Sequence, residues 1–449
     1  MIASAPSLAN LARPVPQRIP IRWRIFGLLF AVGLLEYLQQ RGLTVAAERI
    51  MPSLHLSQMQ IGWLEQAFVI GYAIFQLPGG VLGQVWGARR TVFVIGLISI
   101  FGITATVAAP QLLAGSSLFA VLLALQFVLG MGQAPTFPVS TGAFEAWFPP
   151  PQWALVQGLQ TMGLGLGAAI APPLVAALMT SNGWQWALLW TAVPAVPLFL
   201  LWVWYARDTP AEHPAVSAAE LSLLQTGSAE PNSRISLSEI GSILKDRHVL
   251  LLTFAYFSMN YVFYLLGNWC FLYLVQQRHF SVLESGWLAT MPPIAAGLGA
   301  GAGGIIASAL FVRFGTRRGL RTTPLIALPA AGLLLLALPY TTNAYGAVAI
   351  LAFCYGLIEL TEGSFWATAM TVGSRNTMAV GGIMNTGGSL GGVVGIPIVA
   401  FLSGHGSWNL AFLVGAGFAL ASALAWVLLD PAHRAASPAT ADGEFGSSA

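Results

Sequence analysis

Residues 163–184 read GLGLGAAIAPPLVAALMTSNGW, and residues 387–408 read GGSLGGVVGIPIVAFLSGHGSW. Laid over one another at a shift of 224, they share Gly163 with Gly387, Leu166 with Leu390, Gly167 with Gly391, Pro173 with Pro397, Val175 with Val399, Ala176 with Ala400, Leu178 with Leu402 and Trp184 with Trp408. The same shift carries Gly62-Trp63-Leu64 onto Gly286-Trp287-Leu288, and Gly79-Gly80 onto Gly303-Gly304. Chance in glycine-rich helices produces isolated matches, but not one offset held across three separate apolar stretches, so the chain is an internal duplication.

The repeated unit is a membrane unit. Of 449 residues, 56% are apolar and 8% charged, with a mean hydropathy of +0.73, whereas a soluble domain carries roughly 25% charge. At about 20 residues per span, there is room for a dozen helices. Apolar stretches fall at 25–47, 60–85, 91–111, 117–147, 152–180, 184–206, 248–276, 285–312, 323–341, 345–372, 377–404 and 408–429. The expected fold is therefore an all-α membrane protein of twelve transmembrane helices in two pseudo-symmetric six-helix bundles. The expected division is a segment 1–22, a bundle 23–206, a polar linker 207–247, a bundle 248–430 and a disordered tail 431–449. The 15 Trp and 49 Gly fit interfacial belts and close helix approach.

Basic residues set the expected orientation. With both termini in the cytoplasm, all but Arg41, Arg49 and Arg278 of the 19 Lys and Arg fall on that side, as the positive-inside bias requires. The N-terminus lacks an apolar h-region before a small-residue cleavage site, so no cleaved signal is expected. The location inferred is a multi-pass cell membrane, bacterial and inner, with the lipid bilayer as solvent, no nucleic-acid partner and a monomeric chain.

Catalytic chemistry is not in evidence. Neither HExxH nor GxSxG occurs, the six His lie in loops, the tail or a span edge, and Cys270 and Cys354 stand alone in apolar runs. An enzyme, a metal site and a cofactor are thus not expected. Trp86-Gly87-Ala88-Arg89-Arg90 after the second span is echoed by Phe314-Gly315-Thr316-Arg317-Arg318 after the eighth. Positive-inside charge alone accounts for the arginines but not for their shared place after the glycine, which marks them as candidates for a cytoplasmic gate. Duplicated halves that rock around a central site are the architecture of transporters.

The sequence resembles the major facilitator superfamily, and within it the anion:cation symporter group of galactonate, glucarate and hexuronate transporters and vesicular glutamate transporters. The resemblance is carried by Arg41-Gly-Leu-Thr-Val-Ala, Tyr72-x3-Gln76-x-Pro78-Gly79-Gly80, Ala134-Pro-Thr-Phe137-Pro138 with Trp147-Phe148-Pro149, Tyr273-Leu-Val-Gln276, Phe365-Trp366 and Asn385-x2-Gly388-x2-Gly391-Gly392. It implies alternating access for a small organic anion, with a co-transported proton in coupled members. The departures are pointed. Gln84 and Val85 stand where the family's loop has Asp and Arg, Gln40 replaces an Asp before the first-span Arg, Gln133 a Glu before Ala-Pro, and Gln126 a fourth-span Arg.

An arginine in a membrane span costs at least about 2.5 kcal/mol on insertion scales, so Arg41 is expected to be used. Its planar fork suits a carboxylate, and the resemblance implies that it meets the substrate's anion; a structural pair with Glu36 or Glu65 is the alternative. Tyr37 shares its helix face. The resemblance further points to Tyr72, Gln160, Asn260, Tyr264, Asn268, Trp366 and Asn385 as substrate contacts, with interhelical hydrogen bonding the competing role for each. Glu359, which aligns with Gln133 through the repeat, or Glu362, with Glu36 as an alternative, is the candidate for proton coupling; an uncoupled facilitator or exchanger is the other reading. Glu65 and Glu145 are expected to snorkel or pair with nearby arginines. A carrier of a larger or amphipathic compound, such as a siderophore, aromatic acid or drug, is the runner-up, because the Arg replaced by Gln126 is lost and the site is rich in Tyr, Trp and Gln.

Overall fold

Lipid offers no hydrogen-bond partner to an amide, so apolar runs of this length close their bonds internally as helices. The structure is a computed structural model that describes residues 19–224 and 235–434, and among these no strand occurs. The first half comprises α1 (Ile21–Leu54), α2 (Gln58–Trp86), α3 (Ala88–Leu112), α4 (Gly115–Gln133), α5 (Thr136–Trp147), α6 (Trp153–Ala192) and α7 (Ala195–Tyr205). Two short helices follow, α8 (Ala218–Leu224) and α9 (Leu237–Ile243). The second half holds α10 (Arg247–Gln276), α11 (Val282–Leu288), α12 (Met291–Ala337), α13 (Ala344–Glu359), α14 (Glu362–Gly373), α15 (Thr377–Gly404) and α16 (Trp408–Leu428).

Eight helical stretches are long and apolar enough to cross a membrane. Three of them, Pro150–Tyr205, Leu283–Tyr340 and Ala344–Gly404, run to 56, 58 and 61 residues, twice what one crossing needs. They turn back at Gly183, at Gly315 and at the turn Ser374–Asn376. Counting each as two, and adding α1, whose hydropathy is lowered by Glu36, Gln39, Gln40 and Arg41, gives the twelve spans expected. The fourth and tenth differ from the single helices anticipated. Pro135 and Pro138 remove amide donors at the α4–α5 break. At the α13–α14 break the Thr361 hydroxyl instead donates to the Ile358 carbonyl, 2.7 Å away, a side-chain bond that competes with the helix ladder.

Glycine decides how the halves meet, and it does so symmetrically. A Cβ on Gly79 would stand 2.4 Å from Pro135, and one on Gly303 2.0 Å from the Leu360 carbonyl oxygen, so each fixes its own half at the break in its fourth span. Their neighbours Gly80 and Gly304 face the other half, at 2.3 Å from the Met378 carbonyl oxygen and 2.7 Å from that of Ala154. Gly158 meets the Ala300 carbonyl oxygen at 2.4 Å, and its repeat mate Gly382 meets that of Gln76 at 2.7 Å. The positions contacted, 76 and 300, are themselves related by the 224 shift. Gly87 and Gly315, at φ 84° and 75°, occupy a region that side chains avoid, which explains the shared glycine of the two Gly-x-Arg-Arg turns.

These contacts lie toward the face that carries the described chain ends and the linker. There the Glu220 carboxylate of α8 accepts the Ile21 and Arg22 amides at 3.2 and 3.1 Å, capping α1. Glu239 of α9 pairs with Arg375, fastening the linker to the second half. Residues 1–18 and 225–234, and the tail from 435 onward, lie outside the described residues.

Candidate substrate site

Where the halves part, toward the face opposite the chain ends, they leave a cavity of about 450 Å³. Its wall is drawn mostly from the first half: Arg41 and Gln40 on α1, Glu65 and Gln66 on α2, Gln126 on α4. The second half adds Tyr264 and Asn268 from α10 and Ser389 from α15. Arg41 is exposed to this space. Among the described residues no carboxylate lies within 4.0 Å of it, so neither Glu36 nor Glu65 pairs with it. Three tyrosines, Tyr37, Tyr264 and Tyr355, feel its charge, and of these Tyr264 lines the cavity with it.

Behind Arg41 runs a chain of amides. Gln133 Nε2 donates to Gln39 Oε1 at 3.4 Å and to Ser99 Oγ at 3.3 Å, and Gln39 Nε2 donates to the Thr191 carbonyl at 3.1 Å. A carboxylate at 133 has no hydrogen to give Gln39 Oε1, although the Ser99 hydroxyl could donate to it. The acid-to-amide departure is thereby matched by Gln39, whose oxygen needs a donor.

The remaining candidates divide by depth. Tyr264 and Asn268 line the cavity with Arg41. Tyr72 lies beside Gln76 and Asn385, and Asn385 Nδ2 donates to Gln76 Oε1 at 2.8 Å, which bridges the halves below the cavity. Asn260 is turned onto its own helix, donating to the Tyr256 carbonyl at 3.0 Å. Gln160 is not brought to the cavity: it is buried against α1, its amide bound to the Leu29 carbonyl at 3.1 Å, because Gly33 leaves the gap it fills. Trp366 is not brought to the cavity: it is wholly buried and stacks on Phe137 of the other half with ring centroids 5.3 Å apart.

Of the intramembrane acids, one, Glu65, lines the cavity and the others are buried in the helix packing. Glu36 is buried and accepts from Thr136 Oγ1 at 2.9 Å. Glu359 and Glu362 flank the α13–α14 break as electrostatic neighbours; Tyr256 donates to Glu362 at 3.1 Å, while Glu359 Oε1 has no hydrogen-bond partner. Glu145 does not snorkel: it is buried facing Thr377 across the interface of the halves. Glu65 neither snorkels nor pairs, but stands half-buried in the cavity wall.

The arginine pairs do not reach across the halves. Arg89 bonds the Val203 carbonyl through Nε and Nη2 at 2.8 and 2.6 Å, its amide bonds Asp208 Oδ1 at 2.8 Å, and Arg317 lies 3.6 Å from Asp430. Each of those two ties helix ends within its own half, while Arg90 and Arg318 are exposed. Gln84 instead contributes polar closure between the halves: its Nε2 donates to the Arg375 carbonyl at 2.8 Å and to Asn376 Oδ1 at 2.7 Å. Gln84, standing where the family's loop has Asp, therefore makes a contact across the halves. Sequence reading passed over Tyr355, Gln39 and Gln76 as site residues; Tyr355 is one turn before Glu359 on the same face, which was the available signal.

The chain belongs to the Major Facilitator Superfamily, whose model matches residues 29–380. It is a multi-pass membrane transporter and not an enzyme. Among its relatives are the probable sulfoacetate transporter of Cupriavidus necator, 28% identical over 95% of this chain and 98% of that one, and the hexuronate transporter of Bacillus subtilis, 29% identical over 88% and 92%. A probable galactarate/D-glucarate transporter of Escherichia coli is 25% identical over 94% and 96%. In fold it is similar to a proton:xylose symporter bound to 6-bromo-6-deoxy-D-glucose, at TM-score 0.70, 11% identity and coverage of 90% and 94%. It is also similar to a bacterial homologue of ferroportin in its outward-facing state, at TM-score 0.69, 14% identity and coverage of 90% and 99%.

Proposed function

We propose that the protein carries a small organic anion, a sugar acid or comparable carboxylate or sulfonate, across the bacterial inner membrane by alternating access, with both chain ends in the cytoplasm and the monomer as the working unit. One observation carries the reading: Arg41, a cation without an acidic partner among the described residues, faces a cavity of about 450 Å³ between two pseudo-symmetric halves. That volume suits a six-carbon acid, and a guanidinium fork binds a carboxylate through two parallel bonds. Tyr264 and Asn268 supply hydrogen bonds from the second half, so an occupied site draws the halves together. The related anion transporters support the substrate class, and the outward-facing likeness agrees with a cavity open opposite the chain ends. Coupling to a proton is assigned to Glu359 and Glu362, with Glu36 as a second group.

The test is a thermal-shift screen of the purified protein against hexuronates, glucarate and sulfoacetate, with flux into vesicles measured alongside. A bound anion stabilises the folded form by mass action. Arg41→Ala is expected to abolish both the shift and the flux, and Arg41→Lys to retain less than a tenth of the affinity, since a point charge does not replace the fork. Anion binding that survives Arg41→Ala unchanged sinks the proposal.

A further inference from the structure

We infer that Glu65 sets the charge class of the substrate: the carrier accepts anions with one negative charge whose far end donates hydrogen bonds, and turns dianions away. The inference rests on the anion-carrier reading and deepens it. Arg41 and Glu65 line one cavity, yet they are not within 4.0 Å of each other. Arg41 lies thirteen residues before the end of α1 and Glu65 seven after the start of the antiparallel α2. At 1.5 Å of rise per residue, Glu65 stands about 9 Å closer to the mouth. A six-carbon acid held by one end on Arg41 spans that separation and brings its other end toward Glu65.

What that other end meets is one-sided. Among the described residues no second Lys or Arg lines the cavity, and its other polar groups, among them Gln66, Gln126 and Asn268, are neutral. A second carboxylate there finds a like charge and no cation, in a recess where water screens less than in bulk. A hydroxyl or an ammonium group finds an unpaired carboxylate to accept its hydrogen. Glu65 has no ion-pair partner among the described residues, which leaves it free for that role.

Two matched pairs of six-carbon probes test this by binding to the purified full chain: glucuronate against glucarate, and galacturonate against galactarate. Wild type is expected to prefer the first member of each pair, and Glu65→Gln to shrink that preference on the order of tenfold by gaining affinity for the dianions. Gln66→Glu, which adds a carboxylate at the same rim, is expected to steepen the preference and gives the same information should Glu65→Gln not fold. A wild type that binds dianions as well as their partners, or binds neither member, overturns the inference, as does a preference identical in wild type and Glu65→Gln. Arg41→Ala separates the two levels: binding unaffected by it removes the anion-anchor reading itself, whatever Glu65 does.

Discussion

Glu359 keeps one carboxylate oxygen, Oε1, without a hydrogen-bond partner, although the residue is only 3% exposed. Its neighbours differ in this respect: Glu362 is held by Tyr256 and Glu36 by Thr136. A carboxyl group at membrane depth persists where it is used, and the unheld one is the one free to take up and release a proton. Glu359→Gln is expected to abolish pH-driven accumulation of the anion while exchange of labelled for unlabelled substrate continues, measured in vesicles with and without an imposed pH difference. Unaltered pH dependence in Glu359→Gln, Glu362→Gln and Glu36→Gln alike removes proton coupling from all three. At this scale the sequence was legible where a residue is out of place in lipid. Arg41 and the intramembrane acids announced themselves by cost, but their partners did not, since whether Gln160 faces a ligand or the Leu29 carbonyl depends on a gap left by Gly33 on another helix.

Helix ends carry the next layer of control. Asp246 begins α10 by accepting the amides of His248 and Val249 at 2.8 and 3.1 Å, and its second oxygen lies 2.9 Å from His433 Nε2, past the end of α16. One side chain thus joins the first and last helices of the second half. Burial pushes the Asp246 carboxyl up, but the His433 bond and the two amides outweigh it and hold it below its usual range. A depressed folded value means stability that is present above the unfolded value near 3.8 and lost as pH falls through the folded one. Asp246→Ala is expected to cost about 1 kcal/mol of stability at neutral pH, and the gap to wild type to close below about pH 4; thermal unfolding in detergent across pH reads both, and a gap independent of pH contradicts the assignment. Helix positions were readable because apolar length is a strong signal. The break at Leu360–Thr361 was not, having neither Pro nor Gly to mark it, and the Arg89 and Arg317 pairs were visible as charge while their partners, Val203 and Asp430, are remote in sequence.

Across the whole molecule the duplication seen in 163–184 and 387–408 becomes a mechanical statement. Gly158 and Gly382 are repeat mates, and each presses its Cα on the second span of the opposite half, at Ala300 and Gln76. The face bearing the chain ends therefore closes along two equivalent seams, with no room for even a methyl group, while the opposite face holds the cavity open. In a two-state carrier, whatever is tolerated in one state only shifts the population toward it. Gly158→Leu and Gly382→Leu each place a side chain where a backbone oxygen stands 2.4 or 2.7 Å from the would-be Cβ, and each is expected to disfavour the state closed at this face. A cysteine at Gln66, in the cavity wall and exposed in that state, reports the outcome through its labelling rate with a membrane-impermeant maleimide; Cys270 and Cys354 are buried and supply a low background. Both leucine variants are expected to slow labelling at position 66 by similar factors of about tenfold or more, since displacing a two-state equilibrium by one decade takes only about 1.4 kcal/mol. Slowing in one variant alone would mean that the two seams are unequal and that the halves do not rock symmetrically, and slowing in neither would mean that these glycines pack the halves without setting which face is closed.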